Sequence, residues 1–375
     1  MAHECMPKSV SELLECAPFA PRDFSHAELL LHALREGIGD AAKNPRYANY
    51  IRHWPIPLAE ARRIADLPFL PVAAFKTDPP LATVPQENWS RVLRSSGTSG
   101  QIPSQIVIDK LTSLRMTRSA AAIFADFIGV SRRPMLVIDD PKAVGAASEF
   151  NARGAAIRGL LPFGHSVTYC GRQAASDAIE LDLEILNDFL GKHDPTQPIL
   201  IYGFTYIIWM ALARLIEEGR DLGLRQAHVL HSGGWKTLID RAVSKRLFNQ
   251  SVGTAIGCGP DRVVDFYGMV ENVGIVYPDC VEGNKHPPTY GEVVIRNPLT
   301  LEPAAVGESG IVQVCSILPT SFPGHALLTE DLGEVMHTDH CGCGRPGVAF
   351  RFKGRSPKAE LRGCGDVLAR RTASN

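Results

Sequence analysis

Between Met135 and His231 the chain alternates short apolar runs with longer amphipathic ones, and few folds accept that order. Met135-Leu136-Val137-Ile138-Asp139-Asp140 is a continuous apolar run closed by acids, the pattern of a strand buried on both faces. Pro198 to Gly203 and Ala227 to His231 repeat it, and Ser166 to Tyr169 is a shorter strand. Asp177 to Leu190, Thr205 to Glu218 and Leu238 to Phe248 carry helical periodicity. Apolar strands separated by helices form a parallel sheet, so the middle of the chain is expected to be an open α/β sheet.

The flanks read differently. Ser11 to Cys16, Ser25 to Glu36 (with Ser25 as cap) and Pro55 to Ile64 are expected to be helical, as is Asp109 to Ile128. The prolines in Leu67 to Lys76 hold that segment extended. Beyond about Val263 the strands shorten and turns multiply, at Asp265 to Gly268, Glu292 to Ile295 and Ile311 to Val314. That is the pattern of a β-rich lobe, expected over about 263–354.

Composition removes several function classes. A chain of 375 residues with 45% hydrophobic and 21% charged residues can bury a large core. Its formal charge of −1 offers no surface for nucleic acid. No apolar run approaches the roughly 20 residues of a membrane span, and Met1-Ala2-His3-Glu4-Cys5 does not open a signal peptide. Nine scattered cysteines argue for free thiols or metal ligands in a reducing, cytoplasmic setting, not for a disulfide framework.

One stretch suits an anion. Ser95-Ser96-Gly97-Thr98-Ser99-Gly100 carries hydroxyl donors and two glycines, so backbone N–H groups can converge on phosphate oxygens. It lies between two strands, Trp89 to Leu93 and Ile106 to Ile108, and lacks the Gly-Lys-Ser/Thr of a Walker loop. An ordinary polar hairpin has the same composition, so the loop alone does not decide.

Four motifs in order do. The loop at 95–100 resembles the phosphate loop of adenylate-forming enzymes. Tyr267-Gly268-Met269-Val270-Glu271 is similar to their Tyr-Gly-x-Thr-Glu, Thr329-Glu330-Asp331-Leu332-Gly333 to their Thr-Gly-Asp-Leu-Gly, and Gly354-Arg355 to their hinge-side Gly-Arg. Within that superfamily the chain resembles the LuxE acyl-protein synthetases, through Pro68-Phe69-Leu70-Pro71 with Phe75-Lys76 and through Gly233-Gly234-Trp235-Lys236. The resemblance runs from about Phe69 to Cys364. It departs in a phosphate loop with less glycine and in Val270 where the superfamily has Thr.

The resemblance implies an α/β adenylate-forming large domain over 1–354, with open mixed sheets flanked by helices plus the β-rich lobe. A short remnant, 355–375, would stand where larger relatives carry a whole C-terminal domain. It implies ATP-dependent activation of a carboxylic acid, fatty by the LuxE likeness, to an acyl-adenylate. The acyl group would pass to a cysteine thioester, for delivery to a partner acyl reductase. In this reading Ser95, Ser96, Gly97, Thr98, Ser99 and Gly100 hold the β- and γ-phosphates. Glu271 binds Mg²⁺, a hard carboxylate for a hard cation. Tyr267 stacks on adenine, with Gly268 beside it, and Gly233 and Gly234 let backbone approach the base. Asp331 accepts the ribose hydroxyls, with Arg355 close by. Outside the motifs Glu271 would read as a surface acid, Tyr267 as a core aromatic and Asp331 as a turn residue.

The superfamily's C-terminal-domain lysine has no counterpart in the twenty residues after Arg355. Lys236 is expected to replace it, the alternatives being Lys358 or adenylation without that lysine, and Arg94 is a second candidate cation near the reacting phosphate. Cys364, beside Arg362, is the expected thiol nucleophile. Cys280, His286, Cys341 and Cys343 form a ligand set for structural Zn²⁺, with His337 or His340 able to stand in for His286. Relatives of the phenylacetate–CoA ligase type have a similar set. Two other functions fit the same motifs: a CoA ligase of that type, and a non-catalytic nucleotide-binding scaffold subunit.

Overall fold

The computed structural model describes residues 8–95, 103–144, 152–174 and 179–356. They fall into two compact units. One holds the described residues up to Ile123 and those from Met269 onward, and the other runs from Phe124 to Gly268.

The unit from Phe124 to Gly268 holds the expected α/β sheet, and it also takes Val263–Gly268, expected in the β-rich lobe, because that strand pairs parallel with Ala227–Ser232. Strands Val263–Gly268, Ala227–Ser232, Ile199–Phe204, Arg133–Val137 and Gly164–Tyr169 lie side by side in that order, every pairing parallel. All six residues of Ile199–Phe204 are buried, which explains its unbroken apolar run. In chain order the sheet grows from Arg133–Val137 to one side and then to the other. Its strand order therefore reverses there, and α/β sheets bind ligands beyond the carboxyl ends of strands at such a reversal. Asp139 and Thr205 stand at those ends.

Two helices in this unit start later than their periodicity suggests. In place of a helix from Asp177, Ile179–Leu181 pairs antiparallel with Gly171–Gln173. Helix Leu183–Lys192 begins after Asp182, whose carboxylate accepts the N–H groups of Glu184 and Ile185 at 3.1 Å each. Leu238 lies in a 3₁₀ segment, Lys236–Arg241, and the helix there is Lys245–Ile256, capped by Ser244 and closed by Gly257 at φ 98°. A capping side chain contributes about 1 kcal/mol, enough to move a helix boundary that periodicity leaves open.

The other unit carries the β-rich lobe. Its sheet is built on the twelve-residue strand Ala326–His337. Along one edge runs Ser309–Ser316, antiparallel, followed by Gly291–Arg296. The other edge takes Leu70–Pro71, parallel, at its start and Ala349–Arg355, antiparallel, along the remainder. A separate hairpin pairs Arg91–Arg94 with Gln105–Ile108. The N-terminal helix Phe24–Ala41 is capped by Asp23, not Ser25, because the Asp23 carboxylate accepts the His26 N–H at 2.8 Å. Pro55 to Ile64 is not a helix: Pro55 and Pro57 break it, leaving 3₁₀ turns Leu58–Glu60 and Ile64–Asp66. The helix there is Pro45–Arg52, where Asn44 caps and Pro45 opens the first turn. Among the described residues, no helix is long and apolar enough to cross a membrane.

Candidate functional site

The hairpin Arg91–Arg94 with Gln105–Ile108 flanks the hydroxyl-rich stretch on both sides. Beyond the Arg94–Gln105 pair the ladder continues by one rung: the Ser95 N–H donates to Ser104 O at 3.1 Å, and the Ser104 N–H to Ser95 Oγ at 2.9 Å. Gln105 Nε2 ties the base of the hairpin to Thr77 O at 3.1 Å. Ser95 and Ser104 therefore fix both ends of the loop. Ser96, Gly97, Thr98, Ser99 and Gly100 lie outside the described residues.

Glu271 stands at this base. It is 7% exposed, and burial raises its pKa above the ordinary carboxylate range. The fully buried Ser104 hydroxyl favours the charged form from close by, although it makes no hydrogen bond of full geometry. The Lys76 charge pulls the same way and the Asp331 charge the other. Lys76 itself bridges to Glu330, Nζ to Oε1 3.1 Å, with 27% of its side chain exposed. A buried carboxylate beside a second acid and a lysine has the charges that a divalent cation and an anionic ligand would each meet.

Asp331 owes its place to an irregular ladder. Ile311 faces Leu332 and Gln313 faces Leu328, so two steps of one strand span four of the other. The bulge Thr329-Glu330-Asp331 would leave Val312 O without a ladder partner. The Thr329 hydroxyl donates to it at 2.7 Å and accepts the Asp331 N–H at 3.1 Å. On the other edge Asp331 is the register partner of Arg355, and the Ser356 N–H donates to Glu330 O at 2.9 Å. The Arg355 Nε to Asp331 Oδ1 separation of 3.9 Å, on an arginine 69% exposed, is too loose to add stability. The bulge re-aims an acid and sets a guanidinium across from it, as bulges beside binding sites do.

Lys76, Glu330 and Ser104 are the participants that sequence reasoning missed. One signal was available: Lys76 closes the run from Leu67, which is otherwise without charge.

In the other unit, Tyr267 is buried near the carboxyl end of Val263–Gly268, and Gly268 is exposed. Gly233 and Gly234 follow Ala227–Ser232 with φ of 83° and 59°. A Cβ on Gly233 would lie 2.4 Å from the Phe204 ring, so glycine is required twice over, by conformation and by space. The Lys236 backbone opens the 3₁₀ segment Lys236–Arg241, and its side chain lies outside the described atoms. Cys364 lies outside the described residues.

The expected metal ligands converge. One ligand atom from each of Cys280, His286, Cys341 and Cys343 lies within 4.8 Å of all the others. Cys280 and Cys341 Sγ are 3.9 Å apart, and Cys343 Sγ is 3.4 Å from His286 Nε2. Thiolates about 2.3 Å from a tetrahedral ion sit about 3.8 Å from each other, and a thiolate and imidazole nitrogen about 3.5 Å. Both distances match a four-coordinate zinc shell. The set contains His286, not His337 or His340. Burial, with the charges of Arg345 and Arg22, lowers the His286 pKa to about 4 and keeps the ring neutral, as a ligand must be. Burial raises the Cys341 thiol, but hydrogen bonds from the Cys343 backbone, Asn284 and the neighbouring thiols bring it below its ordinary value. Asn284 Nδ2 approaches Cys341 Sγ at 3.5 Å while Arg351 Nε donates to its Oδ1 at 2.9 Å, a supporting shell around the ligand.

The curated relatives include the long-chain-fatty-acid–luciferin-component ligase of Vibrio harveyi, 24% identical over 303 residues, covering 80% of this chain and 76% of that one. The protein of the same name from Aliivibrio fischeri is 22% identical over 334 residues, covering 87% and 84%. Among solved structures, 2-hydroxyisobutyryl-CoA ligase in an open conformation with 2-HIB-AMP and CoA superposes with a TM-score of 0.65. It is 15% identical and covers 90% of this chain and 76% of that chain. The same ligase in a postadenylation state gives 0.63 at 17% identity, covering 90% and 69%. These likenesses establish the adenylate-forming fold. The family model for acyl-protein synthetase, LuxE, matches residues 29–373, and the chain belongs to that family.

Proposed function

We propose that this protein joins a fatty acid to AMP and then carries the acyl group as a thioester on Cys364, for transfer to a partner reductase. Family membership establishes ATP-dependent acyl activation, and the names of the curated relatives support a long-chain acid. The observation that carries the site assignment is Glu271, buried beside Ser104 and within electrostatic reach of Lys76 and Asp331.

In the first step a carboxylate oxygen of the acid bonds to the α-phosphorus of ATP as the bond to pyrophosphate breaks. Both reactants are anions, so charge neutralisation and positioning are the whole task. The loop at 95–100 takes the β- and γ-phosphates. Glu271 would hold Mg²⁺, which when bound would supply positive charge against the departing pyrophosphate. Tyr267, Gly233 and Gly234 receive the base, and Asp331 and Arg355 the ribose diol. Lys76 joins Lys236 as a cation available to the reacting phosphate, and its bridge to Glu330 holds it oriented. In the second step the Cys364 thiolate attacks the acyl carbon and AMP departs with the bridging oxygen. Residues 1–354 form the adenylating part and 355–375 the segment that carries the thiol. Cys280, His286, Cys341 and Cys343 hold a structural zinc ion.

Acid-dependent exchange of labelled pyrophosphate into ATP, run over fatty, aryl and short acids, tests the first step. Exchange with long-chain acids alone is expected. Exchange with none of them refutes the proposal, and turnover yielding a CoA thioester redirects it to a CoA ligase.

A further inference from the structure

Three adjacent parallel strands bring together Thr205, His231 and Asp265, none of which has a part in the chemistry above. Gly203 and Asp265 are the register partners of His231 on either side, and Thr205 follows Phe204, the partner of Ser232. Thr205 is 6% exposed, His231 3% and Ser232 8%. The Thr205 hydroxyl donates to Ser232 O at 3.0 Å and lies 2.9 Å from His231 Nδ1. A hydroxyl has one proton to give. With that proton committed to Ser232 O, the bond to His231 forms only if Nδ1 carries a hydrogen. Asp265 Oδ1, 3.7 Å from Nδ1, favours that tautomer. The result is a directional chain, His231 Nδ1–H to Thr205 Oγ1–H to Ser232 O.

That chain ends where the Gly233-Gly234 turn begins. The far end of the turn is held by packing: the Trp235 ring lies 5.8 Å from that of Trp209 and 6.1 Å from that of Phe248, both edge-on. Phe248 in turn lies 4.5 Å from the His231 ring. The two glycines between these anchors are exposed. Two adjacent exposed glycines with positive φ are the most pliable backbone a chain can offer, and such a turn recognises a ligand only if its ends are fixed.

We infer that Thr205 and His231 are positioning residues that hold the Gly233-Gly234 turn in the conformation that reads the purine base. This rests on the assignment of that turn to the base. Thr205→Val removes the donor and the acceptor at nearly constant volume. In pyrophosphate exchange it should raise the KM for ATP about tenfold, the worth of one hydrogen bond, with kcat changed less than twofold. The preference for ATP over GTP should fall with it, and Thr205→Ser, which keeps the hydroxyl, should restore both. A purely structural role for Thr205 would lower Tm and leave the ATP/GTP ratio where it was. The inference is overturned if Thr205→Val leaves KM and that ratio unchanged, or if Thr205→Ser is as impaired as Thr205→Val. Should Thr205→Val fail to fold, His231→Asn, whose amide N–H replaces Nδ1–H, and His231→Leu carry the same comparison. A wild-type protein without exchange refutes the adenylation reading itself. Exchange in the wild type with unaffected variants refutes only the positioning chain.

Discussion

Removing the metal from the Cys280, His286, Cys341 and Cys343 cluster should loosen the β-rich lobe without abolishing the fold. The four ligands come from two segments far apart in sequence, 280–286 and 341–343, so one ion cross-links them next to the strand Ala349–Arg355 that carries Arg355. The sulfur–sulfur distance of 3.9 Å and the sulfur–nitrogen distance of 3.4 Å match a tetrahedral zinc shell. If free zinc stands a thousandfold above the dissociation constant, the bound ion stabilises by about 4 kcal/mol. For a unit of this size that is a fall in Tm of about 8 °C on chelation, at roughly 2 °C per kcal/mol. Elemental analysis of the purified protein should give one zinc per chain. Cys341→Ser should lose most of the metal and show the lower Tm without chelator. Protein purified free of zinc, unable to retain added zinc and melting at the same temperature with and without chelator, would refute the assignment.

Other consequences are separable. Asp331→Asn keeps the shape but loses the charge that strengthens hydrogen bonds to a diol. The KM for ATP should rise at least about tenfold in steady-state kinetics, and an unchanged KM would remove Asp331 from the ribose site. His325 is fully buried and uncharged, its pKa lowered by burial, with help from Arg115, to about 4. Because the folded value lies below the unfolded 6.5, its contribution is present above pH 6.5 and is lost as pH falls toward 4. The loss approaches about 3 kcal/mol, and urea melts of wild type and His325→Gln across that window should converge at low pH. Intact-mass measurement after turnover should find an acyl adduct that Cys364→Ser abolishes, and an adduct surviving that substitution moves the thioester to another cysteine.

Much of this site could be read in the sequence because its residues sit in short contiguous motifs. Glu271, Asp331 and Arg355 each lie in such a motif, and the Cys280, His286, Cys341 and Cys343 cluster is legible by residue type. What could not be read depends on register. Nothing local shows that Thr329 donates to Val312 O, or that Asp331 faces Arg355, since both follow from a bulge set by pairing across the sheet. Lys76 and Glu330 are 254 residues apart, and only the fold joins them. The parallel sheet was legible because its central strands, Met135 to Val137 and Ile199–Phe204, are unbroken apolar runs separated by helical periodicity. The helix boundaries were not, because Asp182 and Ser244 set them by capping, which periodicity does not register. Pro45–Arg52 was missed although Asn44 and Pro45 announce it, since the prolines at 55 and 57 drew the helix assignment to the wrong segment.

In the first step proposed above, a carboxylate oxygen of the acid attacks the α-phosphorus of ATP. The acid labelled with ¹⁸O in its carboxylate, incubated with ATP, Mg²⁺ and the protein, tests this most directly. One labelled oxygen should appear in AMP for each acyl group transferred. Label in inorganic phosphate with ADP as the other product, or AMP without label, would contradict the account.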